Sequence, residues 1–335
     1  MQSARNILLV GSVPFATAEA VFENCAHLLG DKVRRLPDGE TGARTNWIMW
    51  QRRLVADNPG LEPLASDPGF PAPRFRVKPG VNKVEFANLG YADAALQSYA
   101  AFRTLKRRGK IGLKHKFMVA LPTPLAVVAA YIEPDSQALV EPAYQARLLT
   151  ELGMILNAVP HDELAVQWDI AIEFAILEGL RFVHFKNAKE GILDRLVALS
   201  EAVPSGVELG LHLCYGDSGH KHFKEPDDTK LMVEISNVLA QRIKRRIDWL
   251  HMPVPRNRAD DAFFAPLKDL KLQPTTELFL GLVHMTDGLE GTKKRMATAS
   301  KYCASYGVAT ECGLGRRKPE TLPELFKIHL DAASA

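Results

Sequence analysis

Short apolar runs alternate with helix-like segments along the chain. Segments between the runs, such as AEAVFENCAHLL (18–29), carry apolar residues at helical spacing. The apolar runs span 6–12, 33–40, 116–124, 164–172, 207–215, 247–255, 277–285 and 308–313. Eight buried strands separated by helices predict an α/β protein, a (β/α)8 TIM barrel formed as a single domain by residues 1–335. A doubly wound open sheet is the alternative, but the first run ends in GSVPF and lacks the G-x-G-x-x-G pattern that would favour it.

Two segments interrupt this alternation. Residues 57–92, after the second strand, are rich in Pro, Gly and Asp and show no clear period, which predicts a loop insertion over the barrel mouth. Within it, FRVKPGVNKVEF (75–86) suggests a short hairpin. Residues 125–158 have a helical pattern with an expected break near the PDS sequence.

Polar residues stand at or near the carboxyl end of every predicted strand. They are Ser12, Asp38, Glu40, Thr123, Asp169, His212, Cys214, His251, His284, Glu311 and Cys312. The carboxyl ends of barrel strands converge on one face, and barrel enzymes hold their active sites there. Any one of these residues has an ordinary structural explanation, but their recurrence on all eight strands predicts an active site.

The strongest chemical signal is the trio His212, Cys214 and Cys312. His212 and Cys214 are two residues apart, so both side chains lie on the same face of a strand. An imidazole and two thiolates can bind zinc and leave one coordination position for a substrate. A buried core histidine beside an inert cysteine is the alternative for the first two residues alone, and Cys312 on another strand end favours the metal.

Other histidines are weaker candidates. His251 ends the sixth run and is a candidate further zinc ligand, while His284 ends the seventh and is a candidate for proton transfer or substrate contact. His220 and His222, in SGHKHF, are expected on a solvated loop, although zinc could use them.

Two acidic residues are candidates for substrate binding. Glu40, in PDGETG, could hold a substrate ammonium group, or serve a turn role, since D-G and T-G are turn dipeptides. Asp169 is a charge inside an apolar strand and needs a partner, which is either a substrate or another side chain.

Composition narrows the class of protein. The chain has 335 residues, 47% hydrophobic, a net charge of +3 with scattered basic residues, and four cysteines. The scattered basic residues argue against a nucleic-acid partner, and four cysteines are too few for a disulfide scaffold. The chain also has no apolar run of the roughly 18–20 residues of a membrane span. The first residues lead directly into a strand without a signal-peptide pattern, so we expect a cytoplasmic protein with free thiols.

Over residues 6–317 the chain resembles the cobalamin-independent methionine synthase superfamily, whose barrel is shared with uroporphyrinogen decarboxylase. LVGSVP resembles the family's opening Gly-Ser, which implies that Ser12 contacts the thiol substrate. DGETGARTNW resembles its Gly-Glu segment and VQWD a strand with an aspartate, which implies that Glu40 and Asp169 bind the amino group of the substrate.

The two more specific motifs carry the metal. LHLCY resembles the family's His-x-Cys zinc pair and TECGLGRR the segment with its last zinc cysteine, which implies His212, Cys214 and Cys312 as ligands. The family's glutamate ligand on the sixth strand has no match in IDWLHMPVP, where His251 is nearest. The Asp-Glu-Pro that follows the fourth strand in the family is Asp169-Ile-Ala here.

The resemblance implies zinc-dependent transfer of a methyl or alkyl group to a thiol through a zinc-bound thiolate. Zn²⁺ would be the cofactor, and a small-molecule thiol and an alkyl donor would be the partners, in a chain that could be a homo-oligomer. Asp169 and His284 would be the catalytic residues, with Ser12, Glu40 and Asp169 binding the substrate.

Two alternatives share the barrel. The same zinc site could drive lyase or hydrolase cleavage of an ether, thioether or ester. A metal-free enzyme resembling uroporphyrinogen decarboxylase would instead bind a polycarboxylate with arginines. Candidates for that role are Arg35, Arg44, Arg256 and Arg258.

Overall fold

Eight parallel strands form the centre of the protein. The structure is a computed structural model that describes residues 5–64, 73–219 and 221–335. The barrel strands are β1 (Ile7–Leu8), β2 (Arg35–Pro37), β5 (Lys116–Pro122), β6 (Leu164–Ile170), β7 (Glu208–Leu213), β8 (Trp249–Pro253), β9 (Glu277–Val283) and β10 (Gly307–Thr310). They correspond to the eight apolar runs, which confirms the predicted (β/α)8 barrel.

The sheet closes on itself between its first two strands. Its hydrogen-bonded order is β1-β10-β9-β8-β7-β6-β5-β2. Isolated parallel bridges join Ile7 to Val33 and Ser12 to Gly39, and the amide of Val13 donates to the Gly39 carbonyl at 2.9 Å. These bridges complete the barrel and bring the end of the first apolar run beside the second.

The barrel interior is filled by large side chains set against small ones. A buried cluster inside the barrel includes Trp249 and Phe279. A Cβ on Gly210 would lie 1.8 Å from the Trp249 indole, and one on Gly307 would lie 2.4 Å from the Phe279 ring. Glycine on one strand therefore makes room for an aromatic ring on the next, which gives the close packing of a barrel core.

Helices alternate with the barrel strands. They are α1 (Ala18–Leu29), α2 (Gln51–Ala56), α3 (Tyr91–Arg107), α4 (Pro124–Tyr131), α5 (Pro134–Ala158), α6 (Ile172–Leu177), α7 (Ala188–Glu201), α8 (Lys230–Arg242), α9 (Asp261–Phe264), α10 (Gly288–Ala299) and α11 (Leu322–Ala333). The expected break near PDS is confirmed, because α4 ends at Tyr131 and α5 begins at Pro134, a residue suited to the first turn of a helix.

The segment between β2 and α3 contains α2 and a small antiparallel pair, β3 (Leu61–Pro63) and β4 (Phe75–Val77). The prediction of a hairpin within 75–86 is therefore wrong, because β4 pairs with β3 and not with residues that follow it. One edge of β4 pairs with β3, and the Phe75 carbonyl accepts from the amide of Glu133 at 3.0 Å. The second edge of β4 is thus used at Phe75, and residues 81–86 form no strand.

Among the helices of the described ranges, none combines the length and apolarity that crossing a membrane requires.

Candidate metal centre and active site

His212, Cys214 and Cys312 meet at the carboxyl end of the barrel. His212 lies in β7, Cys214 follows its last residue, and Cys312 follows β10. One ligand atom from each lies within 4.8 Å of the others. The two Sγ atoms are 3.8 Å apart. Residues almost a hundred positions apart are thus brought together because their strands end on the same face.

The spacing of this trio suits zinc. Two sulfurs that bind one tetrahedral zinc at about 2.3 Å lie about 3.8 Å from each other, whereas a disulfide needs about 2.05 Å. The thiols are also electrostatically coupled. The hydrogen bond from Cys214 and the nearby Arg316 guanidinium lower the pKa of Cys312, while Cys312 and burial raise the pKa of Cys214. One of the two thiols thus ionises readily and the other resists, and a bound cation would favour ionisation of both.

His251 lies behind His212 and outside this trio. Its Nδ1 is 2.7 Å from Nδ1 of His212, and its Nε2 is 3.0 Å from the carbonyl oxygen of Thr310. Burial lowers the pKa of His251 to about 4, so the ring is neutral. Because a carbonyl only accepts, Nε2 of His251 must carry the proton, and its Nδ1 accepts from His212. His212 then presents Nε2 as its lone-pair nitrogen. This geometry speaks against His251 as a ligand and gives it the orienting role of a second histidine.

A cavity of about 460 Å³ opens in front of the trio. Its polar and aromatic lining residues include Ser12, Glu40, Trp47, Arg52, Tyr131, Asp169, Arg181, His212, Cys214, Asp217, Lys221, His222, Cys312 and Arg316. The structure therefore brings the three candidate ligands and the three candidate substrate-binding residues to one cavity.

Glu40 and Asp169 form an acidic pair in this cavity. Burial, followed by the charges of Asp169 and Asp38, raises the pKa of Glu40 well above its usual range. Burial likewise raises the pKa of Asp169, although Gln167 donates to its Oδ1 at 2.9 Å. Glu40 also has a left-handed backbone, with φ of 48°. Two mutually repelling carboxyl groups, one of them on a residue with a strained backbone, are suited to receiving a cationic group or to sharing a proton.

Ser12 lies where the first strand meets the loop that follows Cys312. Its Oγ accepts from the amide of Gly315 at 3.1 Å. A Cβ on Gly313 would lie 2.3 Å from the same oxygen. The glycines of CGLG thus allow the loop to pass against Ser12 and position Cys312 beside it.

His284, predicted to take part in proton transfer or substrate contact, is not among the residues that line the cavity within the described ranges. Its Nε2 lies 2.9 Å from the Val254 carbonyl, and its Nδ1 is 3.7 Å from Oε1 of Glu311. The other carboxylate oxygen of Glu311 lies 3.1 Å from Nε2 of His222. Among the described residues, Glu311 and His222 thus connect His284 to the cavity.

His222 has a different environment from the solvated loop expected for it. Its side chain is 3% exposed and lines the cavity. Burial alone would lower its pKa, but Glu311 and Glu225 raise it to about 9. His220 lies outside the described residues.

Arg316 was missed by sequence reasoning and lies against the trio. Its Nη2 is 2.6 Å from Oδ2 of Asp217 and 3.9 Å from Sγ of Cys312. The signal was its place four residues after Cys312, in CGLGR. This cation offsets negative charge on the thiolates.

The arginines proposed for a metal-free enzyme lie elsewhere. Arg35 is buried and pairs with Glu208 and Glu277 at the opposite end of their strands. Arg44 pairs with Asp38. Arg256 contacts Thr286 and Arg258 pairs with Asp260. None of the four lines the cavity in the part of the chain that the structure describes.

Solved structures with the same fold come from several microorganisms. A B12-independent methionine synthase from Shewanella sp. W3-18-1, in complex with selenomethionine, is 14% identical, with 99% of this chain and 96% of that chain covered and a TM-score of 0.61. A methyltransferase from Methanosarcina mazei is 12% identical, with 99% and 94% covered and a TM-score of 0.59. A protein described as a vitamin-B12-independent methionine synthase from Listeria monocytogenes is 13% identical, with 94% and 86% covered and a TM-score of 0.55.

These similarities confirm, at the level of the fold, the resemblance suggested by the sequence motifs. The search against protein-family models and the search of curated proteins gave no match.

Proposed function

We propose that the protein transfers a methyl or alkyl group to a thiol with the help of one zinc ion. The observation that carries this proposal is the buried trio His212, Cys214 and Cys312, with sulfurs 3.8 Å apart, in the wall of a cavity of about 460 Å³. The similar fold of two methionine synthases and a methyltransferase supports methyl or alkyl transfer.

Zinc in this position would lower the pKa of a substrate thiol and so supply a thiolate nucleophile at neutral pH. Three protein donors leave one coordination position for that thiol. Ser12, beside Cys312, would line the thiol pocket. His251 fixes the tautomer and the orientation of His212. Arg316 adds positive charge near the sulfurs, which favours binding of an anionic thiolate.

Glu40 and Asp169 would orient the substrate. A substrate ammonium or other cationic group would lower the cost of holding both carboxylates ionised in a buried site. Asp169 stands opposite the candidate ligand His212 in the register of β6 and β7, whereas Glu40 lies beyond the end of β2. It is therefore the better candidate for a direct part in catalysis.

The first experiment measures metal. Protein purified without chelator should contain about one zinc per chain, and Cys312→Ser should lose most of it, because a hydroxyl is a poor replacement for thiolate at this kind of site. Cys303→Ser is the matched control, since Cys303 is half-buried on another part of the chain. Absence of zinc uptake, or equal uptake by Cys312→Ser, would contradict the proposal.

The second experiment measures the reaction. Candidate thiols are incubated with alkyl donors and the zinc protein, and S-alkylated products are detected by mass spectrometry. Turnover that requires both zinc and an added thiol supports transfer. Zinc-dependent turnover without a thiol would instead indicate lyase or hydrolase cleavage of the donor.

A further inference from the structure

We propose that Arg52 and Arg181 form an oxyanion subsite in the cavity, which binds a carboxylate, phosphate or sulfonate group of the ligand. Both residues line the cavity. Arg52 lies in α2, within the segment between β2 and α3, and Arg181 follows α6. Neither residue was a candidate from the sequence pattern.

Arg52 is the first observation in support. Its Nε is buried and has no hydrogen-bond partner, and it forms no ion pair with any residue of the described ranges. Its one polar contact there is from Nη2 to the Pro73 carbonyl at 3.5 Å, and its guanidinium lies 5.5 Å from the centre of the Phe75 ring. A cation that is partly removed from water without a counterion is costly, and a bound anion would offset that cost.

The surroundings of Arg181 are the second observation. Burial, followed by the positive charge of Arg74, lowers the pKa of Arg181. Tyr131 is close to both arginines. Burial raises the pKa of its phenol to about 12, and the charges of Arg52 and Arg181 each act to lower it. The Tyr131 hydroxyl is held by donation to the Ile48 carbonyl at 3.1 Å. Arg52 and Arg181 thus share the cavity wall with one fixed side chain, that of Tyr131.

The acidic pair and the arginine pair lie on different elements of the cavity wall. Glu40 follows β2 and Asp169 lies in β6, where it stands opposite His212 in the register of β6 and β7. Arg52 lies in α2 and Arg181 follows α6, so both arginines lie outside the barrel strands. A ligand that fits both carries an anionic group at one end, and a neutral or cationic group near the metal trio at the other.

Guanidinium groups favour oxyanions because their planar N–H donors match two oxygens at once. The identification of the ligand as the alkyl donor rests on the proposed function. The binding of the anion does not, since it requires neither zinc nor a thiol.

The test is calorimetric titration of the protein with sodium acetate, inorganic phosphate and methanesulfonate, at constant ionic strength and with and without added zinc. We expect saturable binding of at least one anion, and the preferred one identifies the carboxylate, phosphoryl or sulfonate class. Arg52→Met and Arg181→Met should each weaken binding by about ten-fold or more. Arg53→Met is the matched control, because the Arg53 side chain is 88% exposed and pairs with Asp57.

Lysine variants keep the test decisive if a methionine variant does not fold. Arg52→Lys and Arg181→Lys retain the charge but not the two-oxygen match, so binding should weaken by less than in the methionine variants. The proposal is overturned if none of the three anions binds saturably, or if the variants at positions 52 and 181 bind as tightly as Arg53→Met. Loss of zinc or of thiol alkylation with intact anion binding would contradict only the proposed function.

Discussion

Nδ1 of His251 lies 2.7 Å from Nδ1 of His212, and the two residues stand opposite each other in the register of β7 and β8. This contact determines which nitrogen of His212 faces the other candidate ligands. Nε2 of His251 donates to the Thr310 carbonyl, so its Nδ1 must accept from His212. His251 thus connects the strand that carries His212 with the strand that leads to Cys312.

The first prediction separates an orienting histidine from a zinc ligand. In His251→Phe, zinc should still bind at about one ion per chain when zinc is in excess, but with an affinity reduced roughly 10–100-fold. The reason is that His212 loses the acceptor that fixes its tautomer. Competition with a coloured chelator measures the affinity. Complete loss of binding, as severe as in Cys312→Ser, would show that His251 is itself a ligand.

The second prediction concerns Glu40. Glu40→Gln should raise KM for the substrate, or abolish turnover, while zinc content stays unchanged, because the amide no longer attracts a cationic group. Steady-state kinetics and elemental analysis of the same preparation provide the two readouts. Glu19→Gln, an exposed change on α1, is the matched control. Loss of metal from Glu40→Gln would place Glu40 among the ligands instead.

The fold and the metal trio were accessible from the sequence because both depend on local pattern. Each barrel strand is buried on both faces, so it reads as a continuous apolar run, and β6 is buried at all seven positions. His212 and Cys214 share a face because of the two-residue period of a strand. Parallel topology then brings Cys312 to the same end.

The parts that the sequence did not predict depend on contacts between distant segments. A histidine at a strand end has the same local pattern whether it enters the cavity or contacts a neighbouring strand. His251 and His284 both contact a backbone carbonyl on a neighbouring segment. His222 lies on a loop and Arg52 in the short helix α2, and nothing in the local pattern of either segment indicates which side chains line the cavity. The partner of β4 was missed for the same reason, since β3 lies at residues 61–63, before the segment 75–86 in which the hairpin was expected.

The third prediction tests the close packing of the barrel interior. Gly210→Ala should destabilise the protein by about 1–3 kcal/mol or more, because the new Cβ would lie 1.8 Å from the Trp249 indole. Gly153→Ala is the control, since Gly153 lies in α5 with no neighbouring atom within 4 Å of an added Cβ. That change should stabilise the helix by about 0.5–1 kcal/mol. Denaturant unfolding measures both, and equal stability of the two variants would argue against this packing.

The last prediction follows from removing the metal. In zinc-loaded protein, Cys214 and Cys312 should resist alkylation by iodoacetamide, because a bound thiolate is shielded and less nucleophilic. After chelation, Cys312 should react first, since the hydrogen bond from Cys214, and after it the charge of Arg316, lowers the pKa of Cys312, whereas the pKa of Cys214 is raised. Cys303 provides an internal reference, because its reactivity should not change with zinc. Peptide mass spectrometry at increasing times of reaction resolves the three sites. If chelation changed the reactivity of neither Cys214 nor Cys312, these two thiols would not be metal ligands, and the proposed function would lose its basis.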